Sequence, residues 1–251
     1  MNNSDIIQLG TWVQINNSTV VEILGNSGFD FAVIDLEHGN ISLETLEHMI
    51  RAAEVSSIKP IVRVNENNAS LITKVLDLGP DGIVIPNIST KEDAVRAVNH
   101  SKYPPLGNRG SCPCIREAGH MNKDWNTFMK ESNHNKTVIA LVEGKDGINN
   151  FEEIASVEGI DFLMIGPFDL SVSLGIPGDF ENPLIESKYN DLIAIARKYD
   201  KDIVGVDFST GLEEIRRGID KWKERDISTI MTGIDKLILS QVAKQISNLK
   251  H

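Results

Sequence analysis

Short apolar runs alternate with amphipathic segments eight times along the chain, and no other feature limits its fold so tightly. The apolar runs lie near 8–14, 31–36, 60–64, 82–86, 137–142, 161–165, 202–206 and 227–232. Between and after them come 18–26, 42–55, 68–78, 90–100, 147–156, 183–199, 210–221 and 234–249. In the second of these, Leu43, Leu46, Met49 and Ile50 recur at three- and four-residue steps, the spacing of a helix that buries one face. Gly28, Gly79 and Gly159 follow helical segments, where a left-handed residue closes the last turn. A strand–helix–strand rhythm implies parallel strands joined by right-handed crossovers. Eight such units in 251 residues predict an α/β fold, a TIM (β/α)8 barrel, rather than an open sheet.

A single barrel domain is expected over residues 1–251, since no linker, low-complexity run or repeat divides the chain. The stretch 101–136 breaks the rhythm before the fifth strand. It holds Pro104 and Pro105, many polar residues, and Trp125, Phe128 and Met129. Those last three give it apolar surface to pack, so it reads as an ordered insertion rather than a floppy loop.

Hydrophobic content of 41% and charged content of 24% are those of a soluble globular protein. A chain of this length buries a large core without disulfides or structural metal. The net charge of −11 argues against sequence-independent nucleic-acid binding, which needs Lys and Arg on phosphates. No segment approaches the ~18–20 apolar residues of a membrane span. Met1 to Ile7 lacks the basic and apolar regions of a signal peptide, so a cytoplasmic protein is expected. Cys112 and Cys114 are the two cysteines, one residue apart. That spacing is too tight for an ordinary disulfide and lacks a second ligand pair for zinc, so reduced thiols are expected.

Charged or titratable side chains stand where four of the apolar runs stop: His38, Arg63, Glu143 and Asp169. On parallel strands, such ends point into one shared space. Glu143 and Asp169 close the fifth and sixth runs. Neighbouring parallel strands lie under ~5 Å apart, so carboxylates at their C-terminal ends can grip one cation. Oxygen-only ligation favours Mg²⁺ or Mn²⁺. The plainer alternative is that each carboxylate caps the next helix or pairs with a Lys or Arg. Arg63 shares side-chain parity with Ile61, so both face inward or both outward. An inward guanidinium can hold a carboxylate or a developing enolate oxygen, whereas an outward one covers a helix.

Asp35, Glu37 and His38 cluster at the end of the second run. An imidazole there can serve as general base while a carboxylate fixes its tautomer; a solvated loop histidine is the alternative. His48 falls within a helical segment, and His100, His120 and His134 have no comparable setting. Gly166 and Pro167 precede Phe168, Asp169, Leu170 and Ser171. A glycine there admits close approach of backbone to a ligand, and the amides that follow can bind a carboxylate at a helix start. Ser171 can equally be a helix N-cap. No GxGxxG after a strand, Walker loop, GxSxG elbow or HExxH is present.

Six segments together resemble the HpcH/HpaI aldolase family: GFDFAVIDLEHG (28–39), PIVRVN (60–65), LDLGPDGIVIPNISTKEDAVRAV (76–98), KYPPLGNRG (102–110), ALVEG (140–144) and GIDFLMIGPFDLSVSLGIPG (159–178). The resemblance spans roughly 8–240 with the motifs in order. It implies a barrel of the pyruvate/phosphoenolpyruvate-binding type. It implies a metal-dependent (class II) aldolase that splits 4-hydroxy-2-oxo (2-keto-3-deoxy) acids into pyruvate and an aldehyde. Glu143 and Asp169 would then bind a divalent cation (Mg²⁺, Mn²⁺ or Co²⁺), and Arg63 would stabilise the enolate. His38, paired with Asp35, would do acid/base chemistry. The backbone at Gly166, Pro167 and Phe168 would receive the pyruvate carboxylate. Arg116 would meet a distal acid group on the aldehyde side, in a loop that departs from the best-known members. A homo-oligomer, a hexamer, is implied, with the last helix, 234–249, on a neighbouring subunit. An acyl-CoA lyase of the citrate lyase β-subunit type and a non-catalytic keto-acid-binding barrel are the rival readings. The histidine of the EHG element favours the aldolase.

Overall fold

The computed structural model describes residues 6–121 and 123–250. Its strands are β1 (Gln8–Val13), β2 (Phe31–Asp35), β3 (Lys59–Arg63), β4 (Gly82–Ile88), β5 (Thr137–Val142), β6 (Phe162–Ile165), β7 (Asp202–Asp207) and β8 (Thr229–Ile234). They run in sequence order around a closed barrel. The helices are α1 (Ser18–Asn26), α2 (Leu43–Val55), α3 (Ala69–Asp77), α4 (Lys91–Ser101), α5 (Trp125–Asn135) and α6 (Gly144–Asn149). After these come α7 (Phe151–Ala155), α8 (Pro167–Ser173), α9 (Pro183–Lys198), α10 (Leu212–Glu224) and α11 (Asp235–Asn248). No helix among the described residues is long and apolar enough to cross a membrane. The chain packs as two compact units, one running to Ile61 and resuming at Gly205, the other Val62–Val204.

In the first unit, β1 pairs in parallel with β2 and with β8. Ala32, Val33 and Ile34 of β2 are wholly buried, as an unbroken apolar run on a doubly covered strand demands. Gly10 pairs with Phe31, and a Cβ on Gly10 would lie 2.1 Å from the Phe31 ring, so the glycine makes room for the aromatic. Asn17 caps α1 and Ser42 caps α2, each through a side-chain oxygen that accepts a backbone N–H. Helix α11 leaves Leu239, Val242 and Ile246 exposed along one side.

In the second unit, β4, β5, β6 and the first half of β7 pair in parallel. Thr90 and Asp93 form a reciprocal capping box at the start of α4. The insertion contains α5 (Trp125–Asn135), which the polar composition of 101–136 conceals. Tyr103, Ala118 and Phe128 form its small core, with Trp125 packed against it. Arg109 lies over the Tyr103 ring, 4.6 Å from its centroid, and its Nη2 donates to Asp77 and Glu117, both at 2.8 Å. Lys102 donates to the carbonyls of Asn133 and Lys136, at 2.9 and 2.6 Å. Asp77 ends α3 and Lys136 precedes β5, so these bonds fasten the insertion at the N-terminal side of β4 and β5.

The predicted helix 147–156 is two short helices, α6 and α7, which meet at Asn150. Helix α8 arises where sequence periodicity gave none, because Pro167 at its first position suits a helix start.

Candidate functional site

Within the second unit, Val142 of β5 lies opposite Ile165 of β6. The residues that follow, Glu143 and Gly166, therefore leave adjacent strands at the same level. Glu143 is the N-cap of α6, yet its side chain makes no cap bond. Its Oε2 instead accepts the backbone N–H of Asn87 at 2.9 Å. Asn87 has φ 57° and sits where the β4–β5 register shifts between Ile85 and Ile88. Such an irregularity turns a backbone amide out of the ladder, here toward the carboxylate. Asparagine tolerates that left-handed conformation better than most residues.

Asp169 lies in the first turn of α8, with Gly166 as N-cap. A Cβ on Gly166 would come within 2.9 Å of Asp169 Oδ2, so the glycine leaves that carboxylate its space. Phe168 is more than half exposed and packs edge-on against Phe180, with centroids 4.8 Å apart. Ser171 is not the helix cap, a place that Gly166 takes. The serine is buried, donates to the Phe168 carbonyl at 2.7 Å and accepts from Gly178 N–H at 3.0 Å. Arg63, the last residue of β3, is only 7% exposed, which a guanidinium spread over an outer helix surface would not be. Arg116 corrects the expectation made for it: its Nη1 donates to the Leu78 carbonyl, 2.7 Å away, just past α3. That places it before β4 begins, at the other end of the strands from Glu143 and Asp169 within this unit.

Within the first unit, Asp35 ends β2 and is fully buried. Its Oδ1 accepts the backbone N–H groups of Glu37 at 3.0 Å and His38 at 3.2 Å. Asp35 thus meets His38 through the backbone amide. Its Oδ2 accepts Gln14 Nε2 at 2.8 Å. Gln14 itself hangs from Asp235, whose Oδ2 accepts the N–H groups of Gln14 and Ile15 at 3.0 and 2.8 Å. Gln14, Asn87 and Asp235 escaped the reading of the sequence. Gln14 and Asp235 follow the apolar runs of β1 and β8, so strand-end polarity was the available signal; nothing marked Asn87.

Among the described residues, no three His, Cys, Asp or Glu side chains converge as a metal cluster. Two carboxylates at neighbouring strand ends nonetheless fit an oxygen-preferring dication, which commonly keeps positions for water and substrate. Glu143, not spent as a helix cap, suits that role. Cys112 and Cys114 are exposed free thiols.

A family model for HpcH/HpaI aldolase/citrate lyase matches residues 8–218. A 5-keto-4-deoxy-D-glucarate aldolase of Citrobacter koseri is 34% identical over 195 residues, 78% of this chain and 75% of that one. A 2-keto-3-deoxy-L-rhamnonate aldolase of Escherichia coli is 35% identical over 180 residues, 72% of this chain and 67% of its own. Among solved structures, the citrate synthase SbnG superposes with a TM-score of 0.82 at 32% identity, covering 99% of this chain and 95% of that one. An HpcH/HpaI aldolase/citrate lyase family protein of Burkholderia cenocepacia superposes with a TM-score of 0.87 at 26% identity, covering 98% and 96%.

Proposed function

The chain belongs to the HpcH/HpaI aldolase/citrate lyase family, and from that membership we propose a carbon–carbon lyase that cleaves 4-hydroxy-2-oxo acids to pyruvate and an aldehyde. One observation carries the reading. Glu143 and Asp169 follow neighbouring strands, and the Glu143 side chain does not cap its helix. Held by these two carboxylates, a divalent cation (Mg²⁺, Mn²⁺ or Co²⁺) would supply Lewis acidity at the 2-keto group.

The side chains do the rest. The backbone at Gly166 and Phe168 donates to the substrate carboxylate; Pro167, which has no N–H, fixes the turn between them. His38 takes the proton of the C4 hydroxyl. As that C–O becomes a carbonyl, the C3–C4 bond breaks and its electron pair passes into the enolate of pyruvate. The Arg63 guanidinium holds the enolate oxygen with paired N–H donors. A proton added at C3 then yields pyruvate.

The apolar side of α11, with Leu239, Val242 and Ile246, supports a homo-oligomer, a hexamer in this proposal, in which that helix meets a neighbouring subunit. Exposed free thiols support a cytoplasmic location.

The test is pyruvate release, coupled to lactate dehydrogenase, across a series of 2-keto-3-deoxy acids with and without added Mg²⁺, Mn²⁺ or Co²⁺. Metal-dependent pyruvate formation is the expected result; its absence with every substrate overturns the proposal. Similarity to a citrate synthase over nearly the whole chain favours one second reading, carbon–carbon bond formation to citrate. Citrate production without pyruvate release would establish it.

A further inference from the structure

We infer that Gln14 is a positioning residue for His38, acting through Asp35 and anchored by Asp235. The inference rests on the reading of His38 as the base. Gln14 follows β1, and its backbone N–H and that of Ile15 both donate to Asp235 Oδ2, at 3.0 and 2.8 Å. Asp235, nearly buried at the first position of α11, uses its Oδ1 to accept the N–H of Lys236 at 2.7 Å. The Gln14 backbone is thereby fixed on two elements at once.

From that anchor the side chain reaches Asp35, with Nε2 donating to Oδ2 at 2.8 Å. The other carboxylate oxygen receives the amides of Glu37 and His38, at 3.0 and 3.2 Å. The Asp35 carbonyl takes the Gly39 amide at 3.1 Å. These bonds to the turn bearing His38 all end on Asp35. A carboxylate turns about its last torsion as a unit. Holding Oδ2 on Gln14 keeps Oδ1 on the two amides, and so keeps the turn in one geometry. Glutamine suits the task, since it donates to a buried carboxylate without adding a charge beside the base. A Cβ on Gly39 would also lie 3.4 Å from the Gln14 Cα, so the turn packs directly against this residue.

The test compares the full-length protein with Gln14→Met, which keeps the length and loses the donor, and with Gln14→Ala. Two measurements are made: steady-state kinetics, and NMR amide exchange at Glu37 and His38, with the His38 imidazole signal assigned by its loss in His38→Asn. In Gln14→Met, kcat should fall about tenfold with KM within about twofold, the pattern of a misplaced base. Exchange at the Glu37 and His38 amides should rise about tenfold while β1 and α11 stay protected, and the imidazole signal should shift. Wild-type exchange and kcat in both variants overturn the inference. So does a uniform rise in exchange through β1 and α11, which marks a merely structural residue. If the wild-type protein releases no pyruvate, the aldolase reading fails, and amide exchange alone still decides the role of Gln14.

Discussion

The amide of Gly39 donates to the carbonyl of Asp35 at 3.1 Å, and a Cβ placed on Gly39 would lie 2.3 Å from that same oxygen. The oxygen belongs to the backbone at the end of β2 and cannot swing aside. Gly39→Ala should therefore cost about 1–3 kcal/mol of stability, the usual penalty of overpacking. Activity should fall further than stability, because the strained turn carries His38. Urea denaturation and the pyruvate assay, run side by side, check both; wild-type kcat in this variant would contradict the account of the turn.

Glu143→Gln and Asp169→Asn keep the size of the side chain and remove its charge. Each should lower metal-dependent turnover by about 100-fold or more, the scale of losing Lewis-acid stabilisation worth several kcal/mol. Both variants should unfold within a few degrees of the wild type. Calorimetric Mn²⁺ titration provides a second readout, and weak or absent binding is expected. Chelator should silence the wild type, with Mg²⁺ or Mn²⁺ restoring it. Full activity of either variant in chelator would remove the assignment.

Arg63→Lys retains the positive charge at a position only 7% exposed but loses the planar fork. A fall of about 10²-fold in kcat is expected if the fork holds the enolate, comparable to losing one preorganised donor in a site of developing negative charge. An unchanged kcat with a raised KM would instead make Arg63 a ground-state binding group.

Burial raises the Asp77 carboxyl above its ordinary value of 3.8, against the opposing pull of Arg109. A carboxyl raised in the folded state binds its proton more tightly there than in the unfolded chain. Its contribution therefore favours folding most at low pH, and declines as pH climbs from about 3.8 through the raised value. The stability of the wild type minus that of Asp77→Asn should accordingly fall with rising pH in that window. Urea denaturation at a series of acidic pH values measures the difference; a rise across the window would reverse the assigned direction.

Most of the scaffold was legible in the sequence because burial on both sides of parallel strands leaves unbroken apolar runs. Phe31–Asp35 and Thr137–Val142 are examples. Helix α1 matched its predicted bounds, with Asn17 as a recognisable cap. Helix α5 was hidden because Trp125, Phe128 and Met129 bury themselves in a local cluster around Tyr103, under a polar composition. Glu143, directly after β5, and Asp169, in the helix that follows β6, stood out in the sequence because charge interrupts an apolar run abruptly. Side-chain destinations did not. Asp35 accepts the backbone amides of the turn, Arg116 turns to a carbonyl past α3, and Ser171 ties a loop to α8. Each choice depends on groups distant along the chain or on local turns that spacing alone does not fix.

The group that meets Glu143 at residue 87 is an amide hydrogen, and every amino acid except proline carries one. Position 87 can therefore drift over evolutionary time among residues that accept left-handed backbone, glycine and aspartate as well as asparagine. Its surface chemistry can be rewritten for other ends while the carboxylate keeps its tether. A neutral mutational path thus runs directly beside the candidate metal ligand, one that a survey of side chains alone would overlook.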